Sequence, residues 1–379
     1  MISPQKFKAV ETVLRPLRKS QRKTVLLAVQ AISWMGQAAS IPIAFFFSQA
    51  TGSRTTSALT RFYRLLHNPG LDDLKITKQF LTLLSQSTSP LLIALDWTEW
   101  HPPLRMLLAS VIVGTRAVPV QTAAFLKTHI RRSQNTWENN FLRVLCLILG
   151  EIKVSACFLA DRGFRRVSFL KLLQEQEGHS FLVRIMDQIT VETKQGRRLL
   201  SQCGLQPGHA LDLGTVLLRS DGAITIRVVG IWAKGQREPW WLATNRYDSL
   251  SHLAALYDRR MGIEEQIRDT NGARFGFKLV WTQMKTPEAL ARFTLLIGLA
   301  ILLLTAIGHA VALQHPAVRL TSKKKGHRLS LLTVGCLFFP CFFMNQSLSF
   351  RSLLQNIPPP TLRSFAWLDC IPSEEIQKC

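Results

Sequence analysis

Two aspartates each close a short apolar run. Asp96 follows Leu91-Leu92-Ile93-Ala94-Leu95, and Asp161 follows Ala156-Cys157-Phe158-Leu159-Ala160. Runs of five apolar residues with no polar helical face read as buried strands, each delivering one carboxylate at its C-terminal end. A charge in that position is costly unless something binds it. Two such strands suggest a metal site more than a salt bridge, because hard divalent cations take carboxylate oxygens. The alternative stays open that each Asp caps the following segment or pairs with a nearby Arg.

A third carboxylate stands in a different setting. Residues 250–271 have helical character, and in them Tyr257, Arg260 and Glu264 are spaced by three and four residues. On one continuous helix they share a stripe about 60° wide, which presents a phenol, a guanidinium and a carboxylate together. An ordinary solvated face shows Arg and Glu at the same spacing, where the pair contributes only a few tenths of a kcal/mol, on the order of 0.2–0.5. Glu99 and Glu265 are set aside. Glu99 is an odd number of residues from Asp96 and faces the other way in a continuing strand, and Glu265 is about 100° around the helix from Glu264.

The elements that must position these acids can be read along the chain. After the Asp96 strand come Met106–Val113 and Val118–Phe125, separated by Gly114-Thr115-Arg116, which together make a three-stranded meander. Residues 138–151 have helical spacing, then come the Asp161 strand, a helix over about 166–176 and a strand over Ser180–Ile185. The order βββαβαβ, with carboxylates on the first and fourth strands, is a mixed α/β sheet that places both acids where open sheets bind ligands. Over about 188–236 the pattern changes to short alternating strands, with Ser220-Asp221-Gly222 a hairpin signal. This reads as a β insertion, closed by Trp240-Trp241-Leu242-Ala243-Thr244-Asn245.

Lys and Arg number 47 against 24 Asp and Glu, a net charge of +23, with a pI near 10.4. An excess of this size predicts a polyanionic partner, most simply nucleic acid bound through its phosphates. An acidic membrane surface is the rival, but the basic residues are spread along the chain rather than clustered. The seven cysteines form no CxxC pair and no zinc spacing, as expected of a reducing compartment. The first 23 residues hold no apolar run behind their charges, so no signal peptide is expected. Phe293–Leu313 is the one membrane-like segment, 21 residues interrupted only by His309. It meets the length criterion for a span, although a helix packed behind a sheet can also be apolar all round, and the buried helix is the preferred reading.

At the N-terminus, residues 1–24 carry seven Lys or Arg against Glu11 alone. Helical character follows from about Thr24 to Asn68, broken near Gly36, Pro42 and Gly52. In its last part Leu59, Phe62, Tyr63 and Leu66 share a stripe that Arg54, Arg61 and Arg64 avoid. A short helix with one packed and one basic face, preceded by two others, has the form of a small helical DNA-binding domain. An ordinary solvated basic face would look the same. Near the other end, Lys323-Lys324-Lys325-Gly326-His327-Arg328 reads as a solvated DNA-contacting loop, and residues 351–379, with Pro358-Pro359-Pro360, as a loosely structured tail.

The strand ending Asp96-Trp97-Thr98, the Asp161-Arg162-Gly163-Phe164 run, Trp241-Leu242-Ala243-Thr244-Asn245 and the Tyr257-x2-Arg260-x3-Glu264 spacing together resemble the DDE transposases of bacterial insertion sequences, in the group with a Tyr-Arg-Glu-Lys signature. The resemblance covers roughly residues 50–310. It implies an RNase H-like core with a β insertion before the Glu helix, and it implies Asp96, Asp161 and Glu264 as catalytic, metal-binding residues. Tyr257 and Arg260 would contact phosphates near the cleaved end, and Trp232, Trp240 and Trp241 are candidates to stack on an extruded base. The group's Lys is absent: seven residues after Glu264 stands Asn271, and Arg268 offers a replacement on the same face.

The sequence reading is therefore an α/β protein with an RNase H-like mixed sheet, a β-strand insertion and an N-terminal α-helical domain. The expected regions are 1–75, helical and DNA-binding; 88–187, first part of the core; 188–240, insertion; 241–315, second part of the core with the Glu helix; and 316–379, a basic C-terminal region. The expected activity is cleavage and joining of transposon ends with Mg²⁺, for which Mn²⁺ can substitute, through Asp96, Asp161 and Glu264. DNA contacts are expected from Tyr257, Arg260, Arg268, Arg54, Arg61, Arg64 and Trp241. Expected partners are double-stranded DNA, as transposon ends and target, and a second copy of the chain in a paired-end complex, with no membrane and a cytoplasmic location at the bacterial nucleoid. The rival readings are a structure-selective nuclease, a catalytically inactive end-binding protein, and a membrane protein with a basic cytoplasmic face.

Overall fold

The computed structural model describes residues 8–86, 90–99, 103–130, 133–194, 196–272, 277–282, 284–315, 329–344, 360 and 363. In chain order the elements are helices α1 (Lys8–Val13), α2 (Lys19–Met35), α3 (Ser40–Thr51), α4 (Thr55–Leu66) and α5 (Asp73–Ser85). Strands β1 (Leu91–Glu99), β2 (Leu104–Val113) and β3 (Arg116–Leu126) follow, then α6 (Lys127–Ile130), α7 (Gln134–Glu151), β4 (Ala156–Ala160), α8 (Val167–Gln174) and β5 (Ser180–Ile185). Next are β6 (Thr190–Thr193), β7 (Gly196–Leu199), β8 (His209–Arg219), β9 (Ala223–Trp232) and β10 (Trp240–Thr244), and then α9 (Leu250–Asp258), α10 (Met261–Asn271), α11 (Pro287–Gln314) and α12 (Leu331–Met344). The result is a mixed α/β protein with a helical N-terminal region, as the sequence reading expects. The chain divides into two compact units, one comprising Met1–Ser89, Trp97–Gln134 and Gly262–Pro360, the other Pro90–Asp96, Asn135–Met261 and Thr361–Cys379.

The first unit is built around α11. Pro287 starts this helix where a missing N–H costs nothing, and the helix is buried over nearly its whole length. It meets the length and composition of a membrane span, with a mean hydropathy of 2.4, yet 78% of that window is buried inside the structure. Packing against protein accounts for its composition without lipid. Gly298 lies against the Pro119 carbonyl of β3, and Gly308 and Gly335 let α11 and α12 approach backbone to backbone, so a methyl group at any of the three would collide. Thr122 donates to the Ala291 carbonyl at 2.8 Å, and Thr77 of α5 donates to the Val120 carbonyl at 2.8 Å. Phe293 meets Phe62 of α4 edge-on, with ring centroids 5.3 Å apart.

Helix α4 buries Ala58, Phe62, Leu65 and Leu66. Leu59 and Tyr63 are half-buried, so the packed stripe is rotated from the one inferred above, because Ala58 and Leu65 are drawn into the core. The preceding helices end where expected: Gly36 and Gly52 take left-handed conformations, φ +59° and +67°, which glycine adopts without cost. Asp72 caps α5 by accepting from the Lys75 amide at 3.0 Å.

In the second unit the strands run in the order β1-β4-β5-β10-β9-β8-β6-β7. Strands β1, β4 and β5 are parallel to one another, while β10 and the strands after it pair antiparallel. The parallel strands are apolar without alternation because both of their faces are covered: Leu91–Leu95 and Ala156–Ala160 are all buried. The insertion continues this hydrogen-bonded order past β10 instead of forming a separate layer. Its β8–β9 hairpin is tied to α8 where Asp221 Oδ1 accepts from the Val167 amide at 3.0 Å. The basic run 323–328 and the segment 351–359 lie outside the described residues.

Candidate active site

The register of β1 against β4 places the two aspartates side by side. The last paired residues are Leu95 and Ala160, and Asp96 and Asp161 are the next residues of their strands. Neighbouring strands are about 4.8 Å apart, so the two carboxylates occupy adjoining positions; Asp161 follows the end of β4 as expected, whereas Asp96 does not close its strand, because β1 continues to Glu99.

They are held differently. Asp161 lies just beyond β4 and caps a 3-10 turn over Arg162–Phe164, where its Oδ1 accepts from the Gly163 amide at 2.8 Å. A Cβ at residue 163 would sit 2.9 Å from that oxygen, which is why the turn carries glycine. Asp96 is still within β1, 17% exposed, and its carboxylate lies 3.6 Å from the Arg260 guanidinium, itself 11% exposed.

Arg260 reaches Asp96 from a break in the chain's helical run. Residues 250–271 are not one helix: α9 ends at Asp258, Arg259 and Arg260 form a turn, and α10 starts at Met261. The amides of Arg259 and Arg260 reach back three residues, to the carbonyls of Leu256 and Tyr257, which tightens and ends α9. The single stripe expected for Tyr257, Arg260 and Glu264 therefore does not exist, and with it goes the shared face inferred for Arg268. Tyr257 is on α9, Arg260 is in the turn, and Glu264 and the exposed Arg268 are on α10.

Tyr257 is 3% exposed, and its hydroxyl has no hydrogen-bond partner among the described residues. Burial pushes its pKa up to about 12; the Arg260 and Arg184 guanidiniums oppose the shift, and the Asp161 carboxylate adds to it. The phenol is therefore a neutral donor at physiological pH. The Trp240 ring stands edge-on to it at 5.2 Å.

Further ion pairs brace the turn after Asp161, and sequence reasoning missed them. Glu138 of α7, 1% exposed in its side chain, binds Arg166 at 2.6 Å, while Glu238 lies 3.3 Å from both Arg162 and Arg184. The run Asp161-Arg162-Gly163-Phe164-Arg165-Arg166 signals such anchors by its arginines, but their partners are 28 and 76 residues away.

The structure places the remaining candidates as follows. Trp241 is 2% exposed and its ring covers Gly230, so it is a core side chain with no face for a base, a correction to its expected DNA contact. Trp232 is half-buried and donates to the Gln236 carbonyl at 3.0 Å. Arg61 gives Nε and Nη2 to Thr24 Oγ1 at 3.2 and 3.0 Å, bracing α4 against α2. Arg54 and Arg64 are exposed. Glu99 pairs with Lys127 at 3.0 Å, and Glu265 pairs with Arg116.

Asp96 and Asp161 fit a hard divalent ion in donor type, since both are carboxylates and one already faces a cationic group. Among the described residues no three His, Cys, Asp or Glu side chains form a group that could hold a metal ion. The pair is brought together within one unit, whereas Glu264 belongs to the other.

Residues 117–303 match the family model of the transposase DDE domain. The match includes Asp161, Tyr257, Arg260 and Glu264, and Asp96 lies upstream of it. No curated protein matches the chain significantly. The domain identifies the chain as a DDE transposase, an enzyme of the polynucleotidyl transferase class. Enzymes of this kind generally use divalent metal ions and act on DNA.

Proposed function

We propose that this transposase cleaves and joins transposon ends where Asp96 of β1 and Asp161 after β4 lie on adjoining strands, with Asp96, Asp161 and Glu264 as its catalytic acids. The observation that carries the reading is the register of those strands, which sets Asp96 and Asp161 side by side next to Tyr257 and Arg260. Asp96 and Asp161, with Glu264 as the third acid, would hold Mg²⁺ or Mn²⁺. Bound there, the ions supply activation of the attacking oxygen and stabilisation of the leaving one in an in-line displacement.

The chain's own residues have separate tasks. The neutral Tyr257 hydroxyl and the Arg260 guanidinium supply a donor and a positive charge for a phosphate, the bidentate geometry of Arg suiting that group. A buried hydroxyl left without a partner costs about 1–3 kcal/mol, and a phosphate oxygen would remove that cost. Trp240, against Tyr257, replaces Trp241 as the candidate stacking ring. Arg54, Arg64 and Arg268 would neutralise phosphates further along the duplex, with Arg61 mainly bracing α4.

In this reading the chain belongs to the Tyr-Arg-Glu-Lys group, with Asn271 in place of the Lys. Its five regions are those of the sequence reading: 1–75, 88–187, 188–240, 241–315 and 316–379. It acts at the cytoplasmic nucleoid, without a membrane, as a homodimer on paired ends and target DNA. The test is incubation of labelled DNA carrying the element's end and flank with Mg²⁺. Nicking and joining by the natural chain, lost in Asp161→Ala and Glu264→Gln while binding persists, is the expected result. Nicking without joining would make it a nuclease. Binding without cutting in either metal would leave an inactive end-binding protein, the reading that Asn271 keeps open.

A further inference from the structure

The first unit also contains a groove. Ile41, Tyr63, His67, Trp281 and Lys285 line this groove of about 470 Å³ between α3, the end of α4 and the segment before α11. None of the nine described residues that line it is acidic. Trp281 is 55% exposed and Ile41 63% exposed, which is costly apolar surface to leave in water. Lys278 Nζ stands 4.6 Å from the Trp281 ring centroid, a cation–π arrangement that holds the indole in place. Arg64, exposed, follows Tyr63 on α4, and His67 Nδ1 lies 3.5 Å from Thr286 Oγ1.

We infer that this groove binds an unpaired nucleotide of a DNA strand, its base stacked on Trp281 and its phosphate held by Lys278 and Lys285. The volume suits a ligand of small-molecule size. Aromatic rings interleaved with cations are the arrangement that binds single strands without sequence preference, and the excess of 47 basic over 24 acidic residues favours a polyanion over an apolar peptide. The inference extends the transposase reading by adding a strand contact that requires no metal. It stands or falls on binding alone, whereas the catalytic assignment stands or falls on cleavage.

The test measures fluorescence anisotropy of the full chain with fluorescein-labelled decathymidylate and with a decamer of the same backbone lacking bases, at fixed salt and without metal. Trp281→Ala should weaken decathymidylate binding roughly 5- to 150-fold, the range for loss of one stacked base, while leaving the abasic strand unaffected. Trp281→Phe should keep most of the affinity. Lys285→Ala should weaken both strands and lower the salt slope by about one phosphate. Equal binding of decathymidylate by the natural chain and Trp281→Ala would overturn the proposal. So would a change in sedimentation coefficient for Trp281→Ala with unchanged DNA binding, which would assign the groove to a second copy of the chain.

Discussion

Asp96 and Asp161 follow buried apolar runs of the same kind, but their charges are compensated by different means. Asp161 is satisfied by its own backbone, through the Gly163 amide two residues on. Asp96 is compensated by the side chain of Arg260, 164 positions away. A local cap forms with the strand end itself, whereas a distant guanidinium is brought to the carboxylate only by the fold. The difference teaches that the setting of Asp161 is local and that of Asp96 is tertiary.

Removing either charge gives the largest expected effect. Asp96→Asn and Asp161→Asn should each lower end cleavage by roughly a thousandfold or more, since each removes one carboxylate from a site where charge stabilisation is worth several kcal/mol. Measured by single-turnover nicking, unequal losses would break the symmetry of the pair. Their stabilities should diverge: Asp96→Asn removes the ion pair with Arg260, while Asp161→Asn keeps a side-chain acceptor for Gly163.

Arg260→Ala tests the comparison from the other side. It leaves a largely buried carboxylate without its guanidinium and should cost about 1–3 kcal/mol in urea unfolding. Much of that loss should be restored when Asp96→Asn is added in a double-mutant cycle. A purely additive cycle would show that the ion pair does not govern Asp96. Gly163→Ala probes the local cap: a methyl group 2.9 Å from Asp161 Oδ1 should cost about 1–2 kcal/mol and reduce cleavage without weakening DNA binding.

Tyr257 sharpens the picture through pH. Its phenol is raised from the ordinary value of 10 to about 12, so the unfolded chain loses this proton first. The stability contribution is complete below pH 10 and is lost as pH rises toward 12, by about 2–3 kcal/mol in all. Tyr257→Phe should remove this component of the alkaline decline and leave neutral stability unchanged or up to about 1 kcal/mol higher, because it deletes an unpartnered buried hydroxyl. Chemical unfolding at pH 8, 10 and 11 measures both. An unchanged alkaline slope would show that the phenol already ionises normally.

Much of the acid-bearing region was legible because a buried parallel strand has a local signature. Leu91–Leu95 and Ala156–Ala160 are apolar throughout, and the structure makes them the paired strands β1 and β4. The β8–β9 hairpin was equally plain from Ser220-Asp221-Gly222. The helix break at Arg259–Arg260 was not legible, since it falls on two arginines, which are good helix formers, and the nearby Gly262 lies inside α10 rather than at the break. Nor was the burial of Trp241, because the same aromatic pair, Trp240-Trp241, puts one ring beside Tyr257 and the other in the core. Arg61 carries the same charge as Arg54 and Arg64, and only the position of Thr24 makes it a brace.

By itself the sequence determined most of the element types, the two apolar runs leading to Asp96 and Asp161, the short strands of residues 188–236, the basic character and the resemblance that the domain match supports. Each of these is written in local periodicity or in residue counts, which do not depend on distant contacts. The tertiary structure alone decided which cation meets Asp96, which tryptophan is accessible, that the Tyr257 hydroxyl is buried beside Arg260, and that Trp281 and Tyr63 share a groove. Those outcomes depend on burial and on pairing across tens to hundreds of residues, where charge and hydrogen-bond energies are set by surroundings that no short stretch of chain specifies.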